Sequence, residues 1–145
     1  MIRRGGPADA ARAFAIWRAA VDATHGFLAP ADKAAIAAAV EAMLPAAPLW
    51  IATDASGTAQ GFMIFEEGMI EALFVDPAAH GQGFGSALLA HALTLDSCPR
   101  VDANEQADNA LPFYEARGFR RTGRSARDPE GRPYPIVHLQ YGKPS

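Results

Sequence analysis

Apolar residues recur along this chain with two periods, and the changes of period divide it into elements. Ala13, Ile16, Trp17, Ala20 and Val21 fall at the three- and four-residue spacing of a helical stripe, and Asp9 stands where an N-cap would. The segment "ATHGFLAP" interrupts the stripe, and a second helix is expected from Asp32 to Met43, ending before Pro45. After Pro48 the runs shorten. "LWIAT", "GFMIF" and "MIEALFV" are compact and strand-like, parted by "DASGTAQG" and "EEG", and the last two are expected to pair as an antiparallel hairpin. Helical spacing returns with Leu88, Leu89, Ala92, Leu93 and Leu95, which predicts a helix from about Phe84 to Leu95 packed on a sheet. "RVDAN" then reads as a short strand, and "DNALPFYEARGF" as a helix that tolerates Pro112 only in its first turn and stops at Gly118. "FRRTGRS" and "PIVHLQY", joined by "RDPEGRP", supply two last strands, and "MIRR" an opening one. Strand, two helices, three strands, helix, strand, helix, two strands is a mixed α/β order.

Composition narrows the class. At 145 residues the chain fits one domain spanning 1–145, with half its residues hydrophobic and a fifth charged. No apolar run approaches the ~20 residues of a membrane helix, and "MIRRGGPADAARAFAIW" lacks the continuous apolar stretch of a secretory signal, so a cytoplasmic protein is expected, with no membrane partner. The single cysteine, Cys98, can form no internal disulfide and has no zinc-ligand spacing around it; it reads as a buried small hydrophobe, and no metal is expected. A net charge of −3 speaks against nucleic acid as a partner, although six arginines lie between Arg117 and Arg132. Glu115, Asp128 and Glu130 interleave with them, which reads as a solvated face from which one arginine could reach a ligand phosphate.

The chemistry concentrates in "FVDPAAHGQGFGSALLAHAL", where Gly81, Gly83 and Gly85 lead a strand into a helix. A helix start presents unpaired N–H groups, and glycines let an anion approach them without Cβ atoms in the way, so Gly81 to Ser86 form a candidate phosphate site. A P-loop would need a lysine that is absent here. A dinucleotide loop would need glycine where Ser86 stands, although Glu105 lies at about the spacing expected of its ribose-binding acid. A plain tight turn is the remaining alternative.

The same residues resemble the acetyl-CoA loop of the GNAT N-acetyltransferases, whose pattern is Arg or Gln, two residues, Gly, one residue, Gly or Ala. His80, Gly83 and Gly85 occupy those places, with His80 departing from the preferred Arg or Gln. A second signature follows in family order in "NEQADNALPFYEARGF", an asparagine at a strand end and a helix closing in Phe-Tyr-x-x-x-Gly-Phe. The resemblance extends through "IWRAAVDATHGFL", "LPAAPLW", "ALFVDP" and "GRPYP", covers nearly the whole chain, and is greatest to the small bacterial YjaB-type members. It implies a single-domain α/β GNAT fold: a mixed, mostly antiparallel sheet of about seven strands, a V-shaped splay between strands 4 and 5, and about four flanking helices. It implies acetyl-CoA as cosubstrate, with the diphosphate on the amides of Gly81, Gln82, Gly83, Phe84, Gly85 and Ser86, His80 touching phosphate, and the pantetheine arm beside Leu73, Phe74 and Val75. Asn104 matches the strand-end asparagine. The asparagine that usually opens the tyrosine-bearing helix falls at Ala107, so one cap and one cofactor contact are missing.

The implied reaction is direct attack of a primary amine on the thioester, the two held together so that positioning removes much of the barrier. Tyr114 is the candidate acid for the departing thiolate, its ordinary pKa of about 10 lying not far above a thiol's ~8.5. A backbone N–H near Leu73 or Phe74, where the family often has a bulge, is the candidate oxyanion donor. For the amine's proton there are two candidates: Glu71, whose setting in "MIEALFV" would raise its pKa by partial burial, and His25 in the loop between the first helices. His138 and Tyr134 could line the acceptor side. Trp17, Trp50 and Phe62 read as core or pocket wall. The expected activity is acetyl transfer to a small-molecule amine or a protein lysine, the alternative a non-catalytic acyl-CoA sensor, in a monomer or homodimer.

Overall fold

The computed structural model describes residues 1–107 and 109–142. Seven strands, β1 (Ile2–Arg4), β2 (Leu49–Thr53), β3 (Ala59–Glu66), β4 (Met69–Val75), β5 (Arg100–Asn104), β6 (Phe119–Ser125) and β7 (Ile136–Tyr141), form one sheet in the order β1-β2-β3-β4-β5-β7-β6. Every neighbouring pair is antiparallel except β4 and β5. Four helices complete the fold: α1 (Ala10–Thr24), α2 (Pro30–Met43), α3 (Phe84–Leu95) and α4 (Ala110–Glu115).

Alternation along the strands gives the sheet two apolar faces, each covered by a helix pair. On one, Ala13, Ile16, Trp17 and Val21 of α1 and Ala37 of α2 pack with Leu49, Ile51, Phe62 and Ile64. On the other, Leu88, Leu89 and Ala92 of α3 and Leu111 and Tyr114 of α4 pack with Ile70, Val101, Ala103, Phe119, Val137 and Leu139. The five-residue stripe read from the sequence is the buried face of α1.

Several details differ from the sequence reading. Asp9 does not cap α1: it accepts a hydrogen bond from the Gly6 amide at 2.9 Å and pairs with Arg3, closing a 3-10 turn (Pro7–Asp9) that precedes the helix. The helix α2 starts at Pro30, two residues early, because proline's fixed φ and missing N–H suit a first helical position. Leu95, the last residue of α3, is 44% exposed, unlike the buried Leu88 and Leu89 of the same stripe. Cys98 is exposed, not buried: its segment turns back over Asp96, which accepts from the Cys98 amide at 2.8 Å, and Pro99 takes the buried place. Pro112 is the third residue of α4 and therefore removes no intrahelical bond. Asp108, within the stretch expected to be helical, lies outside the described residues.

Candidate active site

The two parallel strands separate almost as soon as they meet. Met69 pairs with Arg100 and Ile70 with Val101, and beyond these β4 runs to Val75 and β5 to Asn104 without pairing to each other. A parallel pair this short leaves the edge of β4 free to hydrogen-bond an extended ligand. The β3–β4 register slips beside the parting, between Ile64/Ala72 and Phe65/Ile70, so Glu71 is the extra residue of a bulge in β4. Ile70 and Leu73 pack toward α3, whereas Ala72 and Phe74 pack toward α1, which places the break in alternation at Glu71. The bulge expected at Leu73 or Phe74 is thus displaced to Glu71, and the register from Ala72 to Val75 is regular.

A cleft of about 800 Å³ occupies the opening. Its wall contains Leu73, Phe74, Val75, His80, Gly81, Gly83, Phe84, Gly85, Ser86, Asn104, Tyr114, Glu71 and His25, so residues spread over 90 positions of sequence meet there. Gln82 is outside the wall and exposed.

At one end lies the glycine loop. Gly81 and Gly83 have φ of 78° and 86°, in the left-handed region, and a Cβ on either would meet nothing within 4 Å. The first bond of the α3 ladder runs from the Ala87 amide to the Gly83 carbonyl, which leaves the amides of Phe84, Gly85 and Ser86 ahead of the ladder and facing an open approach. These residues fit a diphosphate, as free donors at a positive helix end with no side chain in the way. Gly85 has a different reason to be glycine: its Cβ would stand 3.3 Å from the Phe113 ring. Arg117 covers that ring with its guanidinium 4.0 Å from the centroid, and donates to Ser86 Oγ from Nη2 at 2.9 Å and from Nε at 3.2 Å.

At the other end are the reactive candidates. The ring of Tyr114 is buried between Phe113 and Phe119, while its hydroxyl makes no hydrogen bond to the described residues and reaches the cleft. Burial pushes the phenol pKa well up, which holds the hydroxyl protonated and widens the gap to a thiol. Proton transfer from this group is harder than an ordinary tyrosine's value implies, so the hydroxyl is better suited to donating a hydrogen bond than to giving up its proton. Glu71 is exposed, contrary to the partial burial expected of it, because the bulge turns it off the packed face. His25 caps the C-terminus of α1, packs on Phe27 at 5.2 Å and is half-buried, and that burial lowers its pKa below the usual 6.5. Asn104 accepts from the Gln106 amide at 3.0 Å through Oδ1, which leaves its NH₂ group available to the cleft.

Two acceptor-side candidates are elsewhere. Tyr134 is buried, its hydroxyl donating to Asp32 at 2.5 Å and accepting from the Ala29 amide at 3.0 Å, so it ties the segment before β7 to the start of α2. His138 is outside the wall; its Nδ1 donates to Asp102 Oδ1 at 2.7 Å and its Nε2 lies 2.7 Å from Ser125 Oγ. Asp102 does line the cleft, as do Thr24 and Arg117, all three unassigned from sequence. Arg117 lies four residues after Phe113 and Asp102 two before Asn104, the spacings of one helical face and one strand face, and these were the available signals. Among the described residues no cluster of His, Cys, Asp and Glu could hold a metal ion, and no helix is long and apolar enough to cross a membrane.

A sheet whose parallel pair opens beside a glycine-built helix start, with a buried tyrosine on the wall of the gap, is an arrangement suited to an acyl-CoA cosubstrate. Residues 45–121 match the acetyltransferase (GNAT) domain. The chain is 44% identical over 140 residues to the peptidyl-lysine N-acetyltransferase YjaB of Salmonella typhimurium, covering 97% of each protein. It superposes on the solution structure of apo-form YjaB from Escherichia coli with a TM-score of 0.94 and 38% identity, covering 99% of this chain and 98% of that one. The fold is also that of yncA from Salmonella typhimurium, solved with its cofactor acetyl-CoA, at a TM-score of 0.65 and 20% identity over 100% and 97% of the two chains. The chain belongs to the GNAT acetyltransferase family, and its reaction is acetyl transfer from acetyl-CoA to an amine.

Proposed function

We propose that the acceptor is the side-chain amine of a lysine in a peptide or protein, and that it attacks the thioester directly while both substrates are bound. The observation that carries this reading is the parting of β4 from β5 beyond Ile70 and Val101. It opens a cleft walled by α3 and α4 residues at one end and by Ala20, Ala23, Thr24 and His25 at the other. An extended pantetheine arm entering from the glycine loop and a long, unbranched amine entering past α1 would meet at the crotch of the V. The peptidyl-lysine activity named for the Salmonella relative supports the same acceptor.

In this reading the amides from Gly81 to Ser86 hold the diphosphate, with His80 and Gln82 at the rim. Leu73, Phe74 and Val75 offer the backbone edge, Asn104 offers its amide, and Tyr114 donates to the departing sulfur. His25 or Glu71 takes the amine's proton. Three of the six arginines from Arg117 to Arg132 are held by carboxylates, Arg121 by Glu115, Arg124 by Glu105, and Arg132 by Asp128 and Asp32, which supports an acceptor other than nucleic acid. Cytoplasmic residence accords with the lone unpaired cysteine.

The test is to incubate the protein with acetyl-CoA and a lysine peptide, the same peptide with the lysine amine blocked, and a panel of small amines, reading peptide mass and released thiol. One acetyl group on the unblocked lysine is the expected result. Acetylation of small amines alone would overturn the acceptor, and cofactor binding without any acetylation would favour an acyl-CoA sensor.

A further inference from the structure

The two proton-acceptor candidates differ in how they are held. The Glu71 carboxylate makes no hydrogen bond to the described residues and stands exposed on its bulge. His25 is fixed at both backbone ends, its amide donating to the Val21 carbonyl at 2.8 Å and its carbonyl accepting from the Leu28 amide at 3.2 Å, and its ring is fixed by a neighbour. The hydroxyl of Thr24 lies 2.8 Å from the Ala20 carbonyl oxygen and 2.6 Å from His25 Nδ1.

Counting protons decides the direction of both contacts. A carbonyl oxygen only accepts, so a 2.8 Å contact with it requires the threonine proton. The hydroxyl has no second proton for the ring, so at 2.6 Å Nδ1 must be the donor and Thr24 Oγ1 the acceptor. A neutral imidazole with its hydrogen on Nδ1 carries a lone pair on Nε2. That atom has no partner among the described residues, and His25 forms part of the cleft wall. A backbone carbonyl one helical turn back therefore dictates, through one hydroxyl, which ring nitrogen is basic.

We infer that Thr24 is a positioning residue of the acetyl transfer, holding His25 in the Nδ1–H tautomer so that Nε2 accepts the proton of the incoming ammonium. The ammonium gives one proton to Nε2, directly or through one water. The freed lone pair forms the new N–C bond as the C–S bond breaks; the sulfur keeps the bonding pair and takes up the amine's second proton, and the imidazolium returns its proton to solvent. Glu71 is then dispensable for the proton and contributes at most to attracting a cation. The inference rests on the acetyltransferase reading of the cleft, but the tautomer can be read without turnover.

Thr24→Val keeps the branched shape and removes the oxygen, whereas Thr24→Ser keeps the oxygen. Nitrogen-15 NMR of the His25 ring should show the Nδ1–H tautomer in the parent and in Thr24→Ser, and a mixture containing Nε2–H in Thr24→Val. With acetyl-CoA and a lysine peptide, Thr24→Val should lower kcat by about tenfold or more while the acetyl-CoA KM stays within about twofold, and Thr24→Ser should restore most of it. In a His25→Gln background the Thr24→Val change should cost nothing further, since the two residues act as one unit. An Nε2–H tautomer in the parent overturns the inference, as does a folded Thr24→Val with unchanged kcat, or loss of turnover on Glu71→Gln with retention on His25→Gln. A parent that binds acetyl-CoA and shows the Nδ1–H tautomer yet acetylates nothing instead overturns the acetyltransferase reading of the cleft.

Discussion

Arg117 reaches back from the end of α4 and places two N–H donors on the hydroxyl of Ser86, in the first turn of α3, at 2.9 and 3.2 Å. The guanidinium also rests on the Phe113 ring and donates to the Phe113 carbonyl at 3.0 Å. One cation thus joins the two helices at that end of the cleft, at a residue whose amide is read as part of the diphosphate site. Ser86 Oγ takes its hydrogen bonds from a fixed cation, so its own proton points outward and is free to donate to a phosphate oxygen. Arg117→Ala should raise the Kd for acetyl-CoA by about tenfold, the equivalent of ~1.4 kcal/mol, with a much smaller change in kcat at saturating cofactor. Isothermal titration with coenzyme A checks the first number and steady-state kinetics the second.

The glycines of the loop should fail in different ways when replaced. At Gly83, with φ of 86°, alanine has room but must adopt a left-handed backbone, at a cost of about 1–2 kcal/mol, and its methyl group points into the anion approach. At Gly85 the backbone is permissive, but the new methyl group meets Phe113 at 3.3 Å and through it disturbs the Arg117 contact. Gly83→Ala is therefore expected to lose both stability and cofactor affinity. Gly85→Ala is expected to shift Phe113, visible in the NMR shifts of its ring, with affinity falling several-fold. Thermal melts with and without coenzyme A separate the two.

Tyr114→Phe removes one oxygen from a ring that is otherwise packed between Phe113 and Phe119. Because the hydroxyl has no partner in the described structure, its loss should leave stability within about 0.5 kcal/mol. If it donates to the departing sulfur, kcat should fall by ~10²-fold or more while the affinity for coenzyme A is kept. The raised pKa adds a second expectation: the parent should show no loss of activity from tyrosine ionisation up to about pH 10, the ordinary phenol value. A descending alkaline limb below that value, absent from Tyr114→Phe, would contradict the assignment.

What could be read from the sequence, and what could not, divides along the range of the forces involved. Hydrophobic period and glycine placement are local, and they located α3 and all seven strands, because Leu88 falls on a helical stripe and Ile70 and Val101 in short apolar strand runs. The family signature carried the splay, for which nothing in "MIEALFV" or "RVDAN" speaks by itself. Side-chain orientation was least accessible. Glu71 follows Ile70 as an ordinary strand neighbour, and only the extra residue in the β3–β4 register turns it outward. Tyr134 sits in a turn and looks available, yet Asp32, 102 positions away, claims its hydroxyl. The Thr24 hydroxyl was overlooked because threonine at a helix end has many bland uses, and only its simultaneous contacts with Ala20 and His25 distinguish it.

His25 should also leave a signature in stability. Burial lowers its pKa in the folded protein below the 6.5 of an exposed histidine, so in the window between the two values the unfolded chain binds more protons than the folded one. Stability must then rise with pH through that window; above 6.5 the ring is neutral in both states and contributes nothing to the pH dependence. As pH falls below about 6.5 the parent should lose stability that His25→Gln, which has no such proton to take up, retains. The same neutral ring is what a proton acceptor requires, so the acidic limb of kcat/KM should lie below 6.5 and should disappear in the residual activity of His25→Gln. The other ionisable groups on the cleft wall are Glu71, His80, Asp102, Tyr114 and Arg117, and Glu71→Gln and His80→Gln serve as controls. Thermal melts and initial rates across that interval decide the matter: if the limb moves with Glu71→Gln and not with His25→Gln, the proton goes to the carboxylate and the histidine is structural.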